Sequence, residues 1–454
     1  MSKNIFAPVL VIAFLFFCGS TFANDQHDHS GHDHSQHDHS GNDHSGHDHS
    51  AHANDKKDTA HADDHQGPSC GDGHSNNHGG KFDAAKTAMH HISDANIWSI
   101  IEMPIPLPMF LKSDTGWDFF MSSKFDVSPM HHEDGLKSYN GYVMHHGSAY
   151  RVAEPGFPME GSVKVGGFTH STEMVNGKEK EITYVCYNGT PMKLDARTTL
   201  DGGLVGGGIT SFWDFSPTKN VIAMILVSLL LFFLFRGAAK KYKENPLKAP
   251  SGVQGILETV VVFIRDEVAI PFIGEKKYMK FFPFLLAVFF FILGLNLFGQ
   301  IPFLGSVNAS GNLTVTMVLA LIGALIVNFN GNKDYWMHIF WMPGVPVFVK
   351  PILAFVEGLG VLIKPLTLML RLAGNISAGH IALVSFVGLI FIFGDLFGIP
   401  GHPSAAGSTV GSLLSVPLTL FMMAIELVVA FVQAFVFTIL TASYLGAATE
   451  EHHH

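Results

Sequence analysis

A small set of ionisable side chains stands out in the apolar C-terminal stretch of this chain, among them Glu357, Lys364, Arg371, His380 and Glu426. A charge in hydrocarbon surroundings is costly, and such residues mark ion or proton paths. Glu357, Lys364 and Arg371 follow one another at intervals of seven, close to one face of a helix. Thr367 and Asn375, four residues to either side of Arg371, share that face. On the next apolar run Glu426 and Gln433 are also seven apart. Set the two runs antiparallel with Arg371 opposite Gln433. His380 then lies roughly 13 Å to the outer side, and Glu426 roughly 10 Å to the same side. An imidazole and a carboxylate thus share one depth, a permanent cation sits at mid-depth, and Glu357 falls on the inner side. Chemically this is a layout for two half-channels separated by a barrier. The competing interpretation is a buried structural His380–Glu426 pair with Arg371 snorkelling to an interface. About twenty apolar residues on each side of Arg371 make snorkelling hard.

Such a layout needs helices long enough to cross a bilayer, roughly 20 apolar residues each. Residues 219 to 449 supply them, being dominated by Leu, Phe, Val and Ile. The expected fold class is an all-α polytopic membrane protein with about five transmembrane helices plus an interfacial helix. The first span covers Val221 to Phe235 with flanks at Lys219 and Gly237, and Arg236, Lys240, Lys241, Lys243 and Lys248 follow it as a cytoplasmic basic cluster. Residues 252 to 275 mix apolar positions with Glu258, Arg265, Asp266 and Glu267, as an interfacial helix does. Phe281 to Ile301 and Asn312 to Asn328 are the next two spans. Ile352 to Ile399 is too long for an upright span and is expected to tilt. Gly401 to Gly411 is read as an outer loop, and Leu413 to Leu445 as the returning helix that pairs with its predecessor. The N-terminus is then extracytoplasmic and the C-terminus cytoplasmic.

The chain divides by composition. Of its 454 residues 15% are charged, against about 25% in soluble proteins, and the polar residues concentrate before residue 215. Residues 1–23 read as a signal peptide, with Lys3, an apolar run from Ile5 to Phe17 and Thr21-Phe22-Ala23 at the cleavage site. Residues 24–80 read as a disordered His-rich tail built on a five-residue repeat. His27, His29, His32, His34, His37 and His39 of that repeat, alternating with Asp, suit Zn, Cu or Ni; a metal-buffering tail and a solvated tail that binds metal incidentally are both open. Residues 81–215 form an extracytoplasmic region of mixed or irregular structure, with strand-like alternation at Glu181 to Tyr187 and turn signals at Asn176-Gly177 and Asn188-Gly189. The pairs His90-His91, His131-His132 and His145-His146 are candidate ligands or plain surface residues. Cys70 and Cys186 are free to pair outside the cytoplasm, but two cysteines alone do not imply it. Residues 216–449 are the membrane domain and 450–454 a cytoplasmic tail. The net charge of −10 comes mostly from the polar half and says nothing about nucleic acid, but no basic patch with interleaved aromatics occurs, so no nucleic-acid partner is expected.

The run Lys364-Pro365-Leu366-Thr367-Leu368-Met369-Leu370-Arg371-Leu372-Ala373-Gly374-Asn375 resembles the signature around the essential arginine of subunit a of F-type ATP synthases. Gln433-Ala434-Phe435-Val436-Phe437 with Leu440 resembles that family's final helix, and Asn296-Leu297-Phe298-Gly299-Gln300-Ile301-Pro302 the end of its second span. The resemblance covers about residues 216 to 449. Many bacterial members carry Glu where His380 stands and His where Glu426 stands, an exchange that keeps one carboxylate and one imidazole at the same depth.

The resemblance implies a non-enzymatic, ion-translocating stator subunit in a bacterial inner membrane, in contact with lipid, a c-ring, a b-subunit peripheral stalk and a catalytic head, and with no cofactor. A proton would enter past His380 and Glu426, neutralise a ring carboxylate, and leave near Glu357. Arg371 stays charged and would favour the ionised carboxylate. A sodium ion is the other candidate, and the ring would largely select between them. The rival reading is a metal-ion transporter with a His-rich sensor tail. It calls for His/Asp/Glu pairs at i, i+4, and none occurs from 352 to 449.

Overall fold

The computed structural model describes Cys70, residues 93–100, 103–127, 134–152, 154–195 apart from 176 and 177, and 211–450 apart from 245, 246, 248, 302, 303, 305, 306, 343 and 398–403. The signal-peptide and His-tail assignments, the pairs His90-His91 and His131-His132, the Asn176-Gly177 turn and residues 451–454 lie outside the described residues.

Among the described residues, eight α-helices follow residue 218. They are α1 (Lys219–Glu244), α2 (Val253–Phe263), α3 (Ile270–Ile273), α4 (Tyr278–Gly299), α5 (Leu313–Phe329), α6 (Lys333–Phe340), α7 (Lys350–Leu396) and α8 (Ala405–Thr449). Four of them, α1, α4, α7 and α8, are long and apolar enough to cross a membrane. A fifth crossing is possible if α5 and α6, which meet at 104°, count as one broken span. α7 has 47 residues, so it runs roughly 70 Å, more than twice the thickness of a hydrocarbon core. α2 and α3 are joined through a π-helical stretch at Ile264–Ala269. This stretch buries Ile264, Val268 and Ala269 and leaves Arg265 paired with Asp266 at 2.7 Å.

α8 begins at Ala405, so the expected outer loop to Gly411 is shorter than the sequence suggested. Ser404 caps the helix by accepting from the Gly407 N–H. Gly407 and Gly411 are not chain breakers here. They let two helices touch, since a methyl on Gly407 would stand 2.3 Å from the Phe393 carbonyl oxygen and one on Gly411 would stand 2.9 Å from Ile390 Cα.

The main apolar core forms where the 264–273 segment, α4, α5, α7 and α8 meet, around Leu285, Phe289, Leu372, Ala434 and Phe437. Among the described residues the region before α1 contains twelve strands: β1 (Ile97–Ile100), β2 (Met103–Pro106), β3 (Pro108–Ser113), β4 (Gly116–Met121), β5 (Lys137–Tyr139), β6 (Tyr142–His145), β7 (Ser148–Arg151), β8 (Ser162–Lys164), β9 (Phe168–Val175), β10 (Lys178–Tyr187), β11 (Thr190–Lys193) and β12 (Phe212–Asp214). They form four small antiparallel sheets, ordered β1-β2, β12-β3-β4, β7-β6-β5-β8 and β11-β10-β9. The strands are short because the chain turns often through residues with positive φ: Asn140-Gly141, His146-Gly147 and Asn188-Gly189 each close a two-residue hairpin. A Cys70–Cys186 disulfide ties the chain ahead of β1 to β10.

These sheets are fastened to the helices. Asp94 accepts from Thr218 Oγ1 at 2.8 Å, and the Lys219 N–H donates to the Ala95 carbonyl at 2.9 Å, which holds the start of α1. Trp98 donates through Nε1 to the Leu304 carbonyl at 2.6 Å. Trp98 and Leu107 share a buried cluster with Val221, Met224 and Val227 of α1 and Leu295 of α4.

Candidate functional site

α7 and α8 run antiparallel and fix the register of their polar residues. Phe393 lies against Gly407, Ile390 against Gly411, and the Phe386 carbonyl accepts from Ser415 Oγ at 2.6 Å. Further along, Gly379 faces Glu426. Eight residues beyond that contact on each helix, roughly 12 Å, are Arg371 and Ala434, the neighbour of Gln433.

His380 and Glu426 meet. Nδ1 of the imidazole stands 3.6 Å from Oε1 of the carboxylate, with the two side chains 16% and 6% exposed. Gly379 makes room for this pair, because a Cβ there would lie 2.7 Å from Oε1 and 3.1 Å from Cγ of Glu426. On the other side of the ring, Gly299 at the end of α4 approaches His380 Nε2. The pair is therefore enclosed by α7, α8 and the end of α4.

Gln433 is buried on α8, on the same helix as Glu426. Arg371 is exposed on α7, and no acid among the described residues forms an ion pair with it. Thr367 and Asn375 are exposed on the same side. Thr367 spends its hydroxyl on the Ile363 carbonyl of its own helix at 2.9 Å. Glu357 and Lys364 are half-buried toward the start of α7. Lys364 Nζ stands 5.2 Å from the centre of the Tyr444 ring. It also lines a cleft of about 30 Å³ with Asn328, Tyr335, Pro365 and Thr441, enough space for a water molecule. Tyr335 donates to Asn328 Oδ1 there at 3.2 Å. The structure thus joins His380 to Glu426, leaves Arg371 on an open face, and sets Glu357 and Lys364 at the far end.

Two residues that the sequence reading named only within a family motif, and not as site residues, belong to the site. Gln300 donates through Nε2 to the Glu426 carbonyl at 2.7 Å, and Asn296 through Nδ2 to the Ala430 carbonyl at 3.1 Å. Both clamp the turn of α8 that carries Glu426. Their signal was present: they are a polar pair at i, i+4 at the apolar C-terminal end of α4, and that spacing puts them on one face.

The arrangement holds a titratable imidazole–carboxylate pair in an enclosed place and a permanent cation on an open helix face. It can exchange protons at the first and attract a carboxylate at the second. A family model described as ATP synthase A chain matches residues 221–446, and a second, described as a domain of unknown function, matches residues 87–168. The chain is 38% identical to ATP synthase subunit a of Myxococcus xanthus, over 58% of this chain and 84% of that protein. It is 37% identical to ATP synthase subunit a of Anaeromyxobacter dehalogenans, over 57% of this chain and 63% of that protein. It is 35% identical to ATP synthase subunit a of Chloroherpeton thalassium, over 53% of this chain and 69% of that protein.

Proposed function

Because the chain belongs to the ATP synthase subunit a family, a non-catalytic membrane part of that machine, we propose that it is the stator through which protons reach and leave a rotating ring of carboxylates. The observation that carries this reading is the pairing of an enclosed His380–Glu426 couple with an Arg371 that no described acid neutralises. A guanidinium on an open face of an apolar helix needs a counter-charge, and a carboxylate on a neighbouring chain supplies one.

In this mechanism a proton enters from the outer side, passes the His380–Glu426 couple and neutralises a ring carboxylate facing α7 and α8. The neutral group is stable against lipid, so the ring can turn. On arrival at the inner side it releases its proton toward Glu357 and the polar cleft beside Lys364. Arg371 favours the ionised carboxylate as it passes, and since it does not deprotonate it interrupts any proton wire between the two sides. Gln433, Asn375 and Thr367 flank that passage. The c-ring, the peripheral stalk and the catalytic head are the partners this mechanism requires. The membrane is the bacterial inner membrane, with the region before α1 outside it. The His-rich stretch from 27 to 52 binds Zn, Cu or Ni and takes no part in rotation.

The test is Arg371→Ala and Arg371→Lys in inverted membrane vesicles. Both abolish proton-driven ATP synthesis while hydrolysis by the detached catalytic head continues. Normal synthesis with Arg371→Ala refutes the mechanism.

A further inference from the structure

Away from the membrane helices, one cluster of side chains has the composition of a metal centre. Asp134, His145 and His146 each present one ligand atom, and the three atoms lie within 4.8 Å of one another. His145 ends β6 and His146 is the first residue of the two-residue turn into β7. His146 has φ +47° and Gly147 φ +70°, the geometry of a type I′ hairpin. Among residues with a side chain, Asn, Asp and His are the ones most often found at positive φ, although such a position remains uncommon for any of them. Asp134 Oδ1 holds His146 there by accepting its N–H at 2.7 Å, and the same oxygen stands 2.9 Å from His145 Nδ1 and 4.0 Å from His146 Nδ1. The turn is braced further by the Asn96 N–H on the Gly147 carbonyl and the Gly135 N–H on the Met144 carbonyl.

We propose that Asp134, His145 and His146 form a binding site for a divalent late transition metal of the Zn²⁺ class. In a tetrahedral zinc site with bonds of about 2.0–2.1 Å, neighbouring ligand atoms stand roughly 3.3 Å apart. The separations of 2.9 and 4.0 Å bracket that value, so small side-chain rotations close the set around an ion. Two imidazoles and one carboxylate leave a fourth position for water. Burial decreases in steps across the cluster. The His145 side chain is 6% exposed, Asp134 23% and His146 42%, so the ion enters from solvent by way of His146. His170 of β9 is the next imidazole, its ring centre 5.5 Å from that of His145, with Nδ1 against Thr183 Oγ1. In the metal-free cluster burial works to raise the Asp134 carboxyl. The hydrogen bond and charge of His145 and the N–H of His146 outweigh it and hold the group below the ordinary carboxylate range. All three residues fall in the stretch matched by the domain of unknown function, and the site is independent of the ion path described above.

Metal retention alone is no test, since the histidines from 27 to 52 also bind the ion. The measurement is local: amide hydrogen exchange of peptides covering residues 134–151 in the detergent-purified full chain, with free Zn²⁺ held constant by a chelator buffer. At about 100 times the dissociation constant, a ligand lost on opening lowers the open population by about 100-fold. Exchange at His146 and Gly135 therefore slows by at least about tenfold when Zn²⁺ is added. His146→Asn keeps a residue that tolerates positive φ and removes the ligand, so the slowing disappears while the metal-free rates stay near those of the parent. Asp134→Asn gives the same loss of Zn²⁺ response. Equal rates in the parent chain with and without Zn²⁺, or an unchanged Zn²⁺ response in folded His146→Asn, overturn the proposal.

Discussion

Gly379→Ala probes the His380–Glu426 couple without removing either member. The added methyl would meet Oε1 of Glu426 at 2.7 Å, whereas ordinary contact begins near 3.4 Å, so the carboxylate must retreat by about 0.7 Å. Cγ at 3.1 Å and Cδ at 3.3 Å restrict how it can do so. Overfilling a packed site costs about 1–3 kcal/mol, and replacing a mid-helix glycine by alanine returns up to about 1 kcal/mol. The net loss, about 0–3 kcal/mol, leaves the chain assembled. The couple, 3.6 Å apart in the parent, loses its alignment. Displacing a reacting group by about 1 Å can cost up to about 100-fold in rate, so proton flux should fall about 10- to 100-fold. The assay is acidification of inverted vesicles driven by ATP hydrolysis, normalised to the amount of assembled complex. Glu426→Asp in the Gly379→Ala background shortens the carboxylate by one methylene and should restore part of the flux. Gly237→Ala, where a methyl meets nothing within 4 Å, serves as the control and should leave flux unchanged. Assembled Gly379→Ala with parental flux would show that the placement of Glu426 does not matter, and the proposed outer path would fall.

Exchanging the couple, as His380→Glu with Glu426→His, should lower proton flux less than either single change does; strict additivity in a double-mutant cycle would mean that the two do not act together. Deleting residues 27–52 should remove most Zn²⁺, Cu²⁺ or Ni²⁺ retention, most clearly above about pH 6.5 where imidazole is neutral, and leave proton-driven synthesis near normal. Loss of synthesis with assembly intact would instead place that stretch at the proton path. Tyr184 in β10 is pushed up to about 12 by burial and by its hydrogen bond to Glu173. Its neutral phenol therefore stabilises the β9–β11 sheet fully below about pH 10, and the contribution is lost as pH rises through about 12. The difference between the ultraviolet titrations of the parent and Tyr184→Phe should be a single phenolate step near pH 12, and a difference step near pH 10 would contradict the burial.

The parts of the site that sequence spacing disclosed are those governed by helical period. Arg371, Thr367 and Asn375 share an exposed side of α7 because residues four apart share a face, and His380 and Glu426 meet because both helices rise equally per residue. What spacing cannot disclose is contact between helices. Gly407 and Gly411 look like a loop in sequence, yet they are the places where α8 lies against α7. Asn296 and Gln300 reach α8 from a helix more than a hundred residues away in sequence. The strand region was harder still. Its strands run to only three or four residues in most cases, too few for a period-two pattern to stand out, and its hairpins depend on positive φ at Asn140, His146 and Asn188. The link between Cys70 and Cys186 spans 116 residues and has no local signal.

The fastening of the sheets to α1 bears on how a rotary machine keeps its footing. A stator must resist torque, and a domain on a loose tether would contribute nothing to that resistance. Here the grip is short and stiff: Asp94 on Thr218, Ala95 on Lys219, and Trp98 on Leu304. Leu304 lies three residues before Val307, whose carbonyl packs against Gly299, and Gly299 in turn borders the His380 ring. In the proposed mechanism the sheets therefore act as a buttress set against the wall of the outer path. Cutting the chain ahead of α1 would strip the cover from Val221, Met224, Val227 and Leu295 and leave that wall without support on its outward side.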